Sequence, residues 1–319
     1  MTAPTPGPAP ASPAGTIEET GYVPSGAGWI YGFVSRPAGG ASAGVVLLGP
    51  FAEEKKSSLR PLAEIARALA RAGFAALRVD FRGTGDSSGR SAELSLGSMV
   101  DDTCAAAGAL RGEFGCGRVA LAGLRLGASV ALLAAGRSRP EALALVEPVV
   151  DGRSYLRELE RAVAIRRMLT RGAPPDGRAV SAVTGEMRPA FIDLDGMELA
   201  RGFLDEIGGI DLVRAARELA QADGLARMPS LVLQLGARGR LREEYARLTE
   251  ALGGDAVAQV VVAEPFWFQA DYVDPAPASC RLVEFLAHAL ADNSGTEGRI
   301  ARTSPPGSTD GGTVRGAQP

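Results

Sequence analysis

The chain has 319 residues, of which 46% are hydrophobic, 22% charged and 5% aromatic. That length and apolar fraction suit one globular core with room for an insertion, and they exclude wholesale disorder. A formal net charge of −3 leaves no global basic field to draw in nucleic acid or an anionic membrane. Three scattered cysteines, Cys104, Cys116 and Cys280, do not make a disulfide framework or a zinc site. The single histidine, His288, removes metal sites built on several imidazoles and puts any His-dependent catalysis on one residue. No metal and no other cofactor is expected.

Residues 1–20 are Pro/Ala-rich at their start and lack the basic and apolar regions of a signal peptide, so they read as a disordered N-terminal segment. No clean apolar run of about 18 residues exists. The best candidate, Val119–Gly136, carries Arg125 near its middle. A cytoplasmic protein with no membrane span is expected.

From there the pattern alternates. β-rich runs occupy Trp29–Val34, Gly44–Leu48, Ala75–Phe81, Arg118–Ala122, Ala144–Val150, Ser230–Leu235 and Ala256–Val262. Leu59, Leu62, Ile65, Ala66 and Leu69 recur at helical spacing, with Gly73 closing that helix and Ser57 or Ser58 available to cap it. Further helices cover Ser95–Arg111, a stretch from Leu126, and Ser279–Asp292. Strands alternating with helices imply parallel strands joined by crossovers, an α/β sheet covered on both faces. The interval 151–224 breaks the rhythm with two amphipathic stretches, Tyr155–Leu169 and Met197–Ile207, around a Gly/Pro-rich middle at Gly172–Gly177. It reads as an inserted helical lid within a domain spanning 21–292. Its arginines read as a solvated helix face. Residues 293–319 are Gly/Ser/Thr/Pro-rich and read as a disordered tail.

Strand Arg118–Ala122 runs into Gly123-Leu124-Arg125-Leu126-Gly127 and then a helix. A strand, a G-x-x-x-G turn and a helix make the geometry of a nucleophile elbow. The turn is so sharp that side chains at the two glycines would collide with backbone. Together with the alternation, this resembles the α/β-hydrolase superfamily. Val45–Phe51 resembles the strand and loop that supply an oxyanion-hole amide, and Val79–Ser87 resembles the D-x-R-G-x-G-x-S loop of the serine-aminopeptidase-like branch. A closer resemblance is carried by Pro50–Lys55, Gly123–Ala128, Glu147–Gly152 and Gly202–Leu212. These are similar to motifs of the hydrolase-fold proteins associated with exosortase (PEP-CTERM) systems in bacteria. The resemblance implies an α/β-hydrolase fold, mostly parallel, with an inserted lid, and a small ester-, acyl- or peptide-like substrate.

Arg125 stands where hydrolases carry serine. A guanidinium keeps its proton and has no lone pair to offer a carbonyl, so it is no nucleophile. The usual acid position holds Gly236–Arg242, without a carboxylate, and the usual histidine position holds Glu264–Gln269. His288 falls on the polar side of its helical wheel, with Arg281, Glu284 and Asp292. A Ser-His-acid mechanism is therefore not expected, and whether the protein turns over a substrate is left open. Two readings of Arg125 stand side by side. It anchors an anionic group of a ligand, with Glu53, Glu54, Asp151 or Asp271 as a base for any chemistry. Alternatively it forms a buried ion pair with Glu53 or Glu54 in a catalytically silent binding or accessory protein. Phe51, Leu126, Lys55 and Trp267 are the candidate substrate-binding residues. Lys55 and Lys56, on the loop facing the elbow, are the only lysines among 34 basic side chains, and they are adjacent. The partner expected is a small molecule; homo-oligomerisation is left open.

Overall fold

The computed structural model describes residues 15–171, 190–194, 196–222, 225, 227–237, 239–268 and 272–291. Gly172–Gly177, Asp271 and the segment 293–319 lie outside the described residues, as do residues 1–14.

The centre is one eight-stranded sheet. Its strands are β1 (Thr16–Ser25), β2 (Gly28–Pro37), β3 (Ala43–Leu48), β4 (Ala75–Asp80), β5 (Arg118–Leu124), β6 (Ala142–Val146), β9 (Ser230–Leu235) and β10 (Ala256–Val261). β7 (Phe191–Leu194) and β8 (Met197–Ala200) form a separate hairpin. The order across the main sheet is β1-β2-β4-β3-β5-β6-β9-β10. From β4 to β10 every pairing is parallel, while β2 runs antiparallel to both β1 and β4.

Parallel strands must be covered on both faces, and here the alternation of side chains divides the core in two. Val46, Leu48, Leu121, Leu143 and Leu145 point to one apolar cluster; Val45, Leu47, Ala120, Ala122 and Ala144 point to the other. Helices α2 (Leu96–Gly112), α3 (Leu126–Ser138), α6 (Leu212–Ala220) and α7 (Glu243–Leu252) bring buried side chains to the first cluster. Helices α1 (Ala52–Arg71) and α8 (Ala276–Ala289) bring theirs to the second.

The inserted segment leaves after β6. It comprises α4 (Gly152–Arg171), the β7–β8 hairpin and α5 (Arg201–Gly208). Its two ends are stitched together: Asp151 and Asp211 form a bridge, Gly152 N donates to Ile210 O at 3.0 Å, and Leu212 N donates to Val150 O at 2.9 Å.

Several sequence expectations are corrected. Thr16–Thr20, assigned to a disordered N-terminal segment, belong to β1. Met197–Ile207, read as one helix, is a strand followed by α5. The run Ala144–Val150 leaves the sheet after Val146. Helix α1 starts at Ala52 with Phe51 as its N-cap, so Ser57 and Ser58 are interior, and Glu53 to Lys56 are helical rather than on a facing loop. Asp102, a charged residue inside helix α2, is fully buried. It accepts from Arg82 Nε at 2.6 Å, Arg82 N at 2.8 Å and Ser25 Oγ at 2.6 Å, tying the motif loop after β4 to α2 and β1.

Glu18 holds the outer hairpin to α1, accepting from Arg67 Nε at 2.8 Å and Nη2 at 3.1 Å. The Arg67 hydrogen bond lowers its carboxyl below the ordinary value, against an opposing effect of burial. A carboxyl depressed in the folded state adds stability above its unfolded pKa and loses it as pH falls through the folded one. Glu18→Gln is therefore expected to cost less than ~1 kcal/mol at neutral pH, because the pair is partly exposed. The difference should shrink as pH falls below the ordinary carboxyl value and through the lowered folded one, as read from urea unfolding of both proteins across pH.

Candidate active site

The site forms where β3, β5 and β6, neighbours in the sheet, end. Each of these strands is followed by a non-glycine residue with a left-handed backbone: Ala52 at φ 52°, Arg125 at φ 56° and Glu147 at φ 48°. Such conformations cost about 1–3 kcal/mol each and cluster where geometry is functionally constrained. The turn at Arg125 is possible because both flanking glycines lack a side chain. A Cβ on Gly123 would lie 2.4 Å from Gly127 O, and one on Gly127 would lie 2.3 Å from Gly49 O.

The strained backbone throws the Arg125 side chain into a filled, buried position, 5% exposed. Its Nε donates to Glu54 Oε1 at 2.9 Å, and its Nη2 donates to Glu158 Oε2 at 2.6 Å. Tyr155 OH donates to the other Glu54 oxygen at 2.9 Å. Three rings surround the guanidinium, with its Cζ 5.3 Å from the centre of Tyr155 and 5.5 Å from those of Trp267 and Phe268. Glu54 comes from α1, Tyr155 and Glu158 from α4, and the two other aromatics from the segment after β10. One side chain thus joins the sheet, a core helix, the insertion and the C-terminal half.

The electrostatics follow from burial and pairing. Burial opposes the charge on Arg125, but Glu54 and Glu158 more than offset it, so the guanidinium holds its proton more tightly than usual. Burial raises the Glu54 carboxyl above its ordinary value, and Arg125 and the Tyr155 hydroxyl pull it back. Burial, then the Glu54 carboxylate, pushes the Tyr155 hydroxyl well up. Trp267 is buried, and its Nε1 has no hydrogen-bond partner among the described residues.

A second group built on the same residue types, with a single carboxylate, stands beside it. Buried Glu147 accepts from Leu235 N at 2.7 Å and Tyr245 OH at 3.0 Å, and it pairs with Arg242. Arg242 closes the stretch Gly236–Arg242 in which the sequence offered no carboxylate, so a cation occupies that loop and takes its anion from the end of β6.

The candidates named from sequence fall into distinct places. Arg125 and Glu54 meet. Glu53 instead pairs with Lys56 on the same helix. Asp151 is exposed and caps α4, accepting from Ser154 N at 2.7 Å; hydrogen bonding to Ser154 lowers its carboxyl. Lys55 pairs with Asp80 at 2.7 Å and donates to Thr84 Oγ1 at 3.3 Å. Lys55 and Phe51 line a cavity of about 30 Å³ with Ala52, Thr84, Met99 and Met197, room for roughly one water. Leu126 is fully buried next to Arg125. His288 is exposed. Glu158, Tyr155, Glu147 and Arg242 were not singled out from sequence. The signals for them were the motif Glu147–Gly152, the helix that follows it and, for Arg242, the stretch Gly236–Arg242. Among the described residues, no group of three or more His, Cys, Asp and Glu could hold a metal ion.

The family model described as serine aminopeptidase, S33, matches residues 55–237, more than half of the chain. The chain belongs to this family. No curated protein matches it. Its fold is shared by several solved structures. Est1E of Butyrivibrio proteoclasticus, solved with ferulic acid bound, superposes with a TM-score of 0.58 at 15% identity, covering 84% of this chain and 98% of that one. An esterase of Pyrococcus furiosus gives 0.57 at 17% identity, covering 86% and 92%. A hypothetical protein of Pseudomonas aeruginosa gives 0.61 at 17% identity, covering 91% and 100%. At these identities the likeness is one of fold: an α/β-hydrolase sheet with its helices. Among the described residues no helix is long and apolar enough to cross a membrane.

Removing one member of a buried pair leaves the other without its counter-charge, at a cost of about 3–5 kcal/mol, whereas removing both relieves that penalty. Arg125→Met is expected to cost that much in urea unfolding. The double variant with Glu54→Gln should be destabilised by less than the sum of the two single changes, the shortfall exceeding about 1 kcal/mol.

Proposed function

We propose that this member of the serine aminopeptidase family is a binding or accessory protein that does not work by Ser-His-acid hydrolysis. The observation that carries the reading is the separation of Arg125 from the chain's one imidazole. Arg125 follows the C-terminal end of β5, whereas Arg118, at the start of β5, donates through Nη1 to Ala291 O at 2.6 Å. Ala291 follows His288 by three residues. The seven residues of β5 therefore separate the elbow from the histidine, roughly 20 Å at ~3.3 Å per residue.

Arg125 occupies the place where a nucleophilic serine would stand in this fold, and its donors face Glu54 and Glu158 rather than open space. This favours the ion-pair reading over the anchoring of an anionic ligand. The pair also latches the insertion, because Glu158 and Tyr155 both belong to α4. The ligand expected from kinship is a small ester-, acyl- or peptide-like molecule, and the four short motifs support kinship with exosortase-associated hydrolase-fold proteins. A cytoplasmic location is part of the same reading.

A fluorophosphonate probe is expected to leave the full chain unlabelled, and p-nitrophenyl acetate to be hydrolysed at the buffer rate. Arg125→Ser should stay equally inert, since no imidazole reaches the restored hydroxyl. A labelled serine in the unaltered chain, or esterase activity in the variant, would overturn the proposal.

A further inference from the structure

The two edges of the main sheet are built differently. An edge strand offers unpaired N–H and C=O groups to any passing strand, and proteins usually guard it with charge, proline or a bulge. Edge strand β1 reads Thr-Ile-Glu-Glu-Thr-Gly-Tyr-Val-Pro-Ser, with Glu18, Glu19 and Pro24. Edge strand β10 reads Ala-Val-Ala-Gln-Val-Val and continues into Val262 and Ala263, with no charge and no proline between Asp255 and Glu264. Val257 is 43% exposed and Val262 67%.

The outward-facing backbone of β10 can be assigned. Asp255 O accepts from Ser230 N, and Val261 O accepts from Gly236 N, so the odd-numbered residues turn their peptide groups toward β9. Within a strand, the N–H and C=O of one residue share a side, and the sides alternate. Ala258, Val260 and Val262 therefore direct theirs away from the sheet.

We propose that β10 pairs antiparallel with β10 of a second copy of this chain, joining two eight-stranded sheets across a two-fold axis at Gln259. The pairing is self-complementary. With Gln259 opposite itself, Ala258 faces Val260, Val257 faces Val261 and Ala256 faces Val262 of the second copy. The flanking acids do not meet, since Asp255 falls opposite Ala263 and Glu264 opposite Gly254. An isologous interface requires one patch that fits itself, and this uncharged strand meets that requirement where β1, with Glu18 and Glu19, does not. The occupant is a like copy rather than an unrelated segment because, within the strand, every cross-strand pair but the uncharged Gln259–Gln259 pair on the axis is then apolar and no like charges face each other.

The test is the mass of the full chain in solution by light scattering coupled to size exclusion at ~100 μM, a concentration well above a micromolar dissociation constant. The expected mass is twice the 32.8 kDa of one chain. Val260→Pro removes an outward donor and leaves the bonds to β9 intact, as proline does on an edge. Val262→Lys places a charge at the end of the same edge. Both variants should halve the mass while their thermal transitions stay cooperative, and Thr20→Lys on the opposite edge should leave the dimer in place. A monomer in the unaltered chain overturns the proposal, as does a dimer that persists in a folded Val260→Pro or Val262→Lys protein. Should Val260→Pro fail to fold, Val262→Lys decides.

Discussion

A buried guanidinium sets the terms for this molecule. Arg125 cannot shed its proton, so once the elbow points it inward the surroundings must neutralise it and hydrogen-bond it. The protein does this with parts far apart in sequence: Glu54 from the first core helix, Glu158 and Tyr155 from the insertion, and Trp267 and Phe268 from the segment after β10. The turn after β5 plants a long cation that draws the neighbouring elements together. Such a pair contributes less net stability than its geometry suggests, because removing charges from water offsets much of the attraction. Its direct geometric effect is to tie Glu158 of α4 and Glu54 of α1 to the turn after β5.

The Glu147, Arg242 and Tyr245 group repeats the same solution one strand along the sheet. Glu147 bridges the backbone of β9 and the start of α7 with a single carboxylate. Both groups combine carboxylate, arginine and tyrosine side chains, and each contains a residue with a left-handed backbone, Arg125 in one and Glu147 in the other. The ends of β5 and β6 are thus occupied by paired charges that satisfy one another.

Much of the fold was legible because parallel strands are buried on both faces and show as uninterrupted apolar runs; Ser230–Leu235 is matched at both ends. What escaped has identifiable causes. β1 is an edge strand with Glu18, Glu19 and Thr20 in it, so it lacks the apolar signature. Helix α1 begins without a capping side chain, and its acidic first turn reads as a loop. Met197–Ala200 carries apolar residues at a spacing that helix and strand share. At the site, Arg125 and its two candidate acids were visible, but the choice between them was not. Glu54 shares an inward face with Ser58 and Leu62 at helical intervals, while Glu53 points to Lys56; that distinction needed the true start of the helix. Glu158 and Tyr155 were beyond reach, because only the folded insertion carries them across to the elbow. Asp102 shows the same limit: a charge inside a helix reads as surface until its partner, Arg82, is known.

The position of Trp267 has an optical consequence. The chain holds two tryptophans: Trp29, half-buried on the outer hairpin, and Trp267, enclosed beside a fixed positive charge. Indole emission shifts with the field and the water around the ring. The fluorescence of this protein therefore carries a component that reports on whether the insertion is seated, with no label attached.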